Sequence, residues 1–336
     1  MKEFPLVSII LLNYNGKDYV NLWKSLFKID YPNYEIIFID NGSTDNSLEL
    51  FEDLIRRMST SSISRIVILK LRKNVGYSRA NNLGIKKAKG DYIVLLSNDI
   101  EVDKNWLKNI ITFLQSYPKV GIASPLMFNF YERKKLDYTF AYMNKTGNIF
   151  GLSEILPFEP KKPVKAFFCE GAAMVFRQEI LRKTGYLFDP DYYMYYEDVD
   201  FCWRSRKQGY ECFVVPSSIV YHVRSGTVGR KQLDTRIYHV LFVRNRLLTL
   251  FRNYNLLNCI KYVPLSILFL LFEAIVMFIY KKKIKGAINI IKGIALFIIQ
   301  IPKETKKMKA QCISGDDFAN ELLSIRNSIR LMMKKI

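Results

Sequence analysis

The first hundred residues alternate between two kinds of segment, and that alternation limits the fold more than any other feature. Runs of strand length at 6–12 (LVSIILL), 35–39 (EIIFI), 65–71 and 91–96 (DYIVLL) are dominated by apolar residues. Between them, Val20, Leu22, Trp23, Leu26 and Phe27, then the stretches 47–58 and 77–88, carry apolar residues at helical spacing. A strand that is apolar at nearly every position is covered on both faces, as in a parallel sheet. The β-α-β order therefore predicts a doubly wound α/β sheet. Ligands of such sheets bind beyond the carboxyl ends of the strands. Each run here is followed by polar punctuation: NYNG, DNGSTDNS, NVG and SND. One such loop is ordinary turn chemistry, but four on one edge predict a site.

Further along, the pattern predicts a helix over 104–115, a short strand over 120–124 and an irregular, aromatic and Lys-rich excursion over 128–168. A strand at 172–176, a helix at 178–183, a helix through Arg206 and a strand at 212–215 follow, the last leading to Tyr221-His222. The five cysteines, Cys169, Cys202, Cys212, Cys259 and Cys312, are odd in number and lack Cys-x-x-Cys spacing. That argues against a zinc site or disulfide framework and fits a reducing compartment. The run at 6–12 is too short for a signal peptide and is expected to be a buried strand.

Charge adds a second constraint. With 51 Lys+Arg against 31 Asp+Glu the chain carries +20, which calls for an anionic partner. Residues 251–336 hold 15 basic and 5 acidic side chains, so a quarter of the chain carries half of the excess. The same region is apolar. The stretch 262–280, interrupted by Pro264 and Glu273, spans roughly 28 Å as a helix, marginal for a bilayer. Glu273 is costly in hydrocarbon. After the lysines at 281, 282, 283 and 285, a second segment runs to Ile301, with Lys285, Asn289, Lys292 and Gln300 in one sector of the helical wheel. It is expected to be an amphipathic, interfacial helix, the alternative being a helical hairpin packed on the rest of the chain. The basic stretch 303–309 is placed where anionic headgroups attract it.

Several positions carry candidate chemistry. Asp40, followed by Asn41-Gly42-Ser43-Thr44-Asp45, reads as a turn and helix N-cap, or as a carboxylate that accepts from a nucleobase while nearby amides face phosphate. Asp99 projects from a strand end, either solvated or as an oxygen ligand for a hard cation such as Mg²⁺ or Mn²⁺ held with substrate phosphates. Glu197-Asp198-Val199-Asp200 opens a helix with more acidic residues than the dipole requires. Beside Tyr192, Tyr193, Tyr195 and Tyr196, which can platform a sugar ring, one of them is a candidate general base. His222 reads as structural or as a metal ligand.

Taken in order, VSIILLNYNG, IDNGSTD, NVGYSRANNLG, GDYIVLLSNDIEV, EGAAMVFR, FDPDYYMYYEDVDFCWRSRKQGY and YHVRSGT resemble the nucleotide-sugar-dependent glycosyltransferases of family 2, nearest their rhamnosyltransferase-like branch. The resemblance covers about residues 5–250. It implies a GT-A fold: a doubly wound mixed α/β sheet with a nucleotide-binding, Rossmann-like half and an acceptor half, followed here by C-terminal apolar and amphipathic helices. It implies inverting transfer from a nucleoside-diphosphate sugar, with a divalent cation. Asp40 is then expected at the base, and Asn74 and Gly76 near the nucleotide, with Asn13, Asn15, Arg79, Asn82, Ser97 and Asn98 also on the donor side. Asp99 and His222 are expected at the metal, Asp198 as the base with Glu197 beside it, and Gly171, Tyr195 and Tyr196 on the acceptor side. Ser97 stands where the family usually carries Asp or Asn, which leaves the cation to Asp99, His222 and the diphosphate. Arg79, Arg204 and Arg224 are candidates to offset charge on the leaving group.

The expected organisation is a catalytic domain over 1–254, membrane-associating helices over 255–310 and a basic helical tail over 311–336. The acceptor is expected to be a hydroxyl of a glycan, lipid-linked at the cytoplasmic face of an anionic cell membrane. A polyprenyl-phosphate acceptor and a non-catalytic membrane scaffold compete with this reading. Nucleic acid is disfavoured, because no helix-turn-helix, finger or RNA-recognition motif accompanies the basic charge.

Overall fold

A computed structural model of the chain describes residues 3–58, 62–156, 159–224, 235–279, 282–310 and 318–324. Its first half runs β1 (Val7–Asn13), α1 (Val20–Trp23), β2 (Tyr34–Asp40), α2 (Ser47–Arg57), β3 (Ile63–Lys70), α3 (Tyr77–Ile85), β4 (Tyr92–Ser97), β5 (Ile100–Val102), α4 (Trp106–Ser116) and β6 (Val120–Asn129). It continues through β7 (Phe140–Met143), β8 (Ile149–Gly151), α5 (Leu152–Ile155), β9 (Val164–Ala166), β10 (Ala173–Arg177), α6 (Glu179–Thr184), α7 (Glu197–Lys207) and β11 (Glu211–His222). Three long helices follow: α8 (Thr235–Asn253), α9 (Leu256–Ile279) and α10 (Ile284–Ala310).

Among the described residues nine strands form one mixed sheet in the order β3-β2-β1-β4-β10-β6-β11-β5, with β9 added on β11. The strands β3, β2, β1 and β4 are parallel, and β10 runs against both β4 and β6. Register aligns the site: Asn13 pairs with Asp40, and Leu12 with Ser97, so three strands end at one level. Successive residues serve opposite cores. Val7, Ile9 and Leu11 pack with Trp23, Phe51 and Trp106 on one face, while Ile10, Ile37, Ile39 and Leu95 pack with Ala80, Phe176 and Phe201 on the other. Two buried faces explain why β1 and β2 show no polar alternation.

The excursion expected at 128–168 is more regular than its composition suggests. Within it lie the β7–β8 hairpin, α5 and β9, elements of three or four residues that leave no detectable period. The short strands expected at 120–124 and 212–215 extend to Asn129 and His222, because β6 and β11 pair along most of their length. Their ladder shifts register between Val215 and Ile219, around Pro216, which has no N–H to donate.

α9 and α10 are each long and apolar enough to cross a membrane, and only 28% and 33% of their most apolar windows is buried. Both are fastened to the rest of the chain. Ser266 donates to the Thr146 carbonyl at 2.8 Å, Arg252 on α8 pairs with Glu304 at 2.6 Å, and Gly293 on α10 lies against Val243 on α8. The polar sector expected on the second segment divides. Lys285 and Lys292 face outward among Ile284, Ile288 and Ile291, whereas Asn289 is buried against the protein beside Ile290. On α9 the exposed positions Leu257, Ile260, Leu268, Phe272, Ile275 and Ile279 recur every three or four residues or twice that, forming one stripe. The helical tail expected over 311–336 lies mostly outside the described residues. Within 318–324 the chain makes a turn and a bridge from Leu323 to Asn144 rather than a helix.

Candidate active site

The ends of β1, β2 and β4 and the loop before α3 meet around a cavity of about 80 Å³ lined by Tyr14, Asn41, Asn74, Gly76, Ser97, Asn98, Asp99 and Tyr193, among others. Much of the polar punctuation builds this edge from within. The Asn13 amide donates to Asp40 at 3.3 Å and Ser47 at 2.9 Å and accepts from Asn98 at 2.9 Å, all buried. Asn15, in the left-handed region at φ 51°, accepts from the Thr44 N–H at 2.7 Å. Asn82 clamps the Phe188 backbone through both ends of its amide. The side chains of these three, expected on the donor side, bond to neighbouring segments of the chain.

Asn74, Gly76 and Ser97 do line the cavity, and Asp40 lies just behind it, 2% exposed. Asn41, which was not singled out in the sequence, stitches two loops by accepting from Val75 N–H at 3.0 Å and donating to Asn74 at 3.1 Å. Gly76 has φ 86°, and a Cβ there would come within 2.5 Å of the Tyr193 ring. Only glycine allows the two loops to approach so closely.

The candidate metal residues stand together. His222 Nε2 lies 3.3 Å from Asp99 Oδ1, and its Nδ1 lies 3.2 Å from Asp137 Oδ2. Burial opposes the charge on His222, but the two carboxylates hold its pKa up to about 9. Positive charge is thus favoured at this point, and a carboxylate on the far nitrogen is the usual arrangement behind a metal-bound imidazole. No cluster of three or more His, Cys, Asp or Glu side chains suited to a metal occurs among the described residues. The donor set fits a hard cation that takes Asp99 and His222 and completes its shell with phosphate oxygens. Asp137, within the excursion, was invisible in the sequence.

A second cavity of about 390 Å³ adjoins the first through Tyr77 and Met194, and its walls include Glu170, Gly171, Tyr195, Tyr196, Glu197, Asp198 and Arg224. Asp198 Oδ2 accepts from the Gly171 N–H at 2.9 Å and Oδ1 from the Val199 N–H at 2.8 Å. Burial outweighs these two bonds and raises its carboxyl from 3.8 to about 6. Glu197, 5% exposed, is pushed well above the ordinary carboxyl range by burial and by Asp198, and its Oε2 has no hydrogen-bond partner among the described residues. The two acidic neighbours thus differ: Asp198 is held by two backbone N–H groups, while Glu197 is buried with one carboxyl oxygen unpartnered among the described residues.

The three candidate arginines separate. Arg204 is spent on Asp200 and on the carbonyls of Tyr186 and Leu187. Arg79 is exposed and lines neither cavity. Arg224 stands in the wall, paired with Asp137 and with Glu170 at 3.0 Å. Of the four tyrosines, Tyr192 is fully buried and donates or accepts at Thr249, and Tyr196, 2% exposed, donates to the Gly147 carbonyl at 2.7 Å. Tyr192 lines neither cavity, Tyr193 lines the first, and Tyr195 and Tyr196 line the second. Tyr193, Tyr195 and Tyr196 have φ of 62°, 72° and 67°. Such non-glycine residues cost about 1 to 3 kcal/mol each and persist where surrounding structure imposes them.

Two solved structures share the fold. The chain aligns with GalNAc-T7, crystallised with UDP, GalNAc and Mn²⁺, at TM-score 0.60 and 16% identity, covering 76% of this chain and 49% of that one. It aligns with the Pyrobaculum calidifontis mannosyltransferase PcManGT, in complex with GDP-Man and Mn²⁺, at TM-score 0.56 and 15% identity, covering 88% of each. The expected GT-A arrangement, with its mixed sheet and C-terminal apolar helices, is the one observed. In sequence, the chain is 26% identical over 274 residues to the low-salt glycan biosynthesis hexosyltransferase Agl10 of Haloferax volcanii, covering 78% of this chain and 81% of that protein. It spans only 26%, 43% and 47% of the length of three further curated relatives. A family model described as glycosyl transferase family 2 matches residues 8–185, from β1 through α6, and takes in the donor edge and the Gly171 wall. With more than half of its length matched, and with the strand-end loops placed as that fold requires, the chain belongs to glycosyl transferase family 2.

Proposed function

We propose that the chain is an inverting glycosyltransferase of glycan or polysaccharide assembly. It transfers a sugar from a nucleoside-diphosphate donor in the first cavity to a hydroxyl of a glycan acceptor in the second. The observation that carries this reading is Asp198: a carboxylate fixed by two backbone N–H groups, with its pKa at about 6, in a cavity that opens onto the strand-end edge. A base poised near neutrality both exists in its ionised form and accepts a proton effectively. Asp198 takes the acceptor hydroxyl proton as that oxygen bonds to the anomeric carbon. The bond from that carbon to the diphosphate breaks on the opposite face, and the configuration inverts.

Asp40 and Asn41 orient the nucleotide, while Asp99 and His222 would hold a Mg²⁺ or Mn²⁺ ion. When bound, that ion offsets the charge gathering on the diphosphate. Tyr77 donates to the Gly171 carbonyl at 2.6 Å and so braces the peptide whose neighbour holds Asp198. A lipid-phosphate acceptor fits less well, because Glu170, Glu197 and Asp198 line the second cavity and its one arginine, Arg224, is already matched by Asp137 and Glu170.

Residues 1–254 form the catalytic unit in this reading, and 255–310 dock it on a membrane. The apolar stripes of α9 and α10 lie among exposed Lys261, Lys282, Lys283, Lys285 and Lys292, which suits an anionic surface and a lipid-linked acceptor at the cytoplasmic face. The attachments of α9 and α10 to the rest of the chain favour helices that lie in the interface. Asp198→Asn is the decisive variant. It is expected to lower kcat by about 10³-fold, with the nucleotide still stabilising the protein in Mn²⁺-dependent thermal shifts. Near-normal turnover in that variant sinks the assignment of the base, and no nucleoside diphosphate shifting the melting temperature sinks the donor class.

A further inference from the structure

We propose that Arg244 and Asn245, on α8, are the positioning residues of the acceptor wall: they hold the loop 192–196, in which Tyr193, Tyr195 and Tyr196 have positive φ, and thereby set Asp198 and Tyr195. This inference rests on the reading of Asp198 as the base. Neither residue lines either of the two cavities described, and neither belongs to the motifs that carry the family resemblance.

The four carbonyl groups of residues 192–195 lie outside any ladder or helical turn, so apart from the Met194 N–H, which donates to the Tyr192 carbonyl at 2.7 Å, their donors come from elsewhere in the chain. Here all four are accounted for. Asn245, fully buried, donates through Nδ2 to the carbonyls of Tyr192 at 2.9 Å, Met194 at 2.8 Å and Tyr195 at 2.8 Å. The fourth, Tyr193, accepts from the Ser78 N–H at 3.1 Å. The two N–H groups of one amide are thus shared among three of the four, and the Tyr192 carbonyl has the Met194 N–H and Arg244 as further donors.

Arg244 makes that possible. Its Nε and Nη2 donate to Asn245 Oδ1 at 2.9 and 2.6 Å, which fixes the amide with its N–H groups toward the loop. The same guanidinium donates to the carbonyls of Asp191 and Tyr192. Immediately beyond the clamped segment, the Tyr196 carbonyl accepts from the Asp200 N–H at 2.9 Å and α7 begins, with Glu197 and Asp198 as its first residues. The direction in which α7 leaves the loop, and so the place of the Asp198 carboxylate, is set by the clamp.

The test compares the full-length chain with Asn245→Ala and with Arg244→Lys, the milder change, which serves if Asn245→Ala does not fold. Amide hydrogen exchange over 191–199 is expected to accelerate by about tenfold or more, while β1 and β4 stay protected. Release of nucleoside diphosphate from a panel of UDP-GlcNAc, UDP-glucose, GDP-mannose and dTDP-rhamnose, each with Mn²⁺, should show kcat lowered by about 30-fold and the donor KM within about threefold. The acid limb of the pH–rate profile should also move away from about 6, since the Asp198 environment changes. Unchanged exchange over 191–199 overturns the proposal, as does equal loss of protection in β1, which marks a general contribution to stability. The exchange readout does not depend on what Asp198 does, so accelerated exchange combined with an active Asp198→Asn enzyme defeats the assignment of the base and leaves the clamp standing.

Discussion

The donor edge and the acceptor wall lie side by side, yet they are built in opposite ways. The donor edge is assembled from loops that directly follow β1, β2, β3 and β4, and its asparagines are satisfied by neighbouring loops of the same edge. Its close approaches, at Gly16, Gly42 and Gly76, use glycines. The acceptor wall instead gathers Gly171, Asp198 and Arg224 from distant segments and includes tyrosines where glycine would be easier. Its conformation is imposed by α8, and α10 adds a direct ion pair from Lys303 to Asp191 at 2.7 Å. The first edge is thus fixed by its own loops, whereas the second wall is shaped by helices that come later in the chain.

Four measurements sharpen or break that contrast. The largest effect is expected from pH. Burial keeps the Asp198 carboxyl protonated below about 6, so the base-competent fraction falls as the medium is acidified. Turnover should drop by about 100-fold between pH 7 and pH 4 while nucleotide binding declines far less, and parallel losses in both dissolve the distinction between the two sides. Next, Asp40→Ala should raise the nucleotide Kd by about tenfold or more and leave kcat at saturating donor within about threefold, because it removes a donor-side contact without touching the wall. Calorimetric titration with a nucleoside diphosphate reads the first quantity, and a dominant fall in kcat contradicts it.

A smaller change is expected in the helical layer. Phe272→Glu with Ile291→Glu places two charges on the exposed stripes of α9 and α10, and partition onto anionic vesicles should weaken by about tenfold. Turnover of a water-soluble acceptor should be unaffected; unchanged partition would mean that these stripes do not meet the bilayer. Smallest of all, Gly293→Val introduces a side chain where a Cβ already lies 2.7 Å from Val243. Overpacking of this kind costs about 1 to 3 kcal/mol and should lower Tm by about 3 to 6 °C. A loss of turnover beyond the loss of folded protein would show that the α8–α10 crossing reaches the wall.

The parts legible in the sequence are those in which neighbours along the chain do the work. The runs at 6–12 and 91–96 announce strands, and the loops after them announce an edge, because strand ends in a parallel sheet must fall together. The excursion at 128–168 hid the β7–β8 hairpin, since strands of three or four residues carry no period, and Asp137, since its partners His222 and Arg224 lie far along the chain. Arg244 and Asn245 sit in a helix with an ordinary pattern, and nothing local separates a clamp from a surface pair.

The sequence by itself determined the α/β order, the polar strand-end edge and the apolar, basic character of residues 251–336. These follow from backbone periodicity and from charge, which are properties of short stretches. Only the tertiary structure decided which asparagines line the cavity and how they bond to one another. It also decided that Asp198 and Glu197, one peptide apart, lie in different surroundings, and that a helix some fifty residues further on holds their loop in place. Burial and hydrogen-bond closure set those outcomes, and both depend on what the fold brings to a residue from elsewhere in the chain.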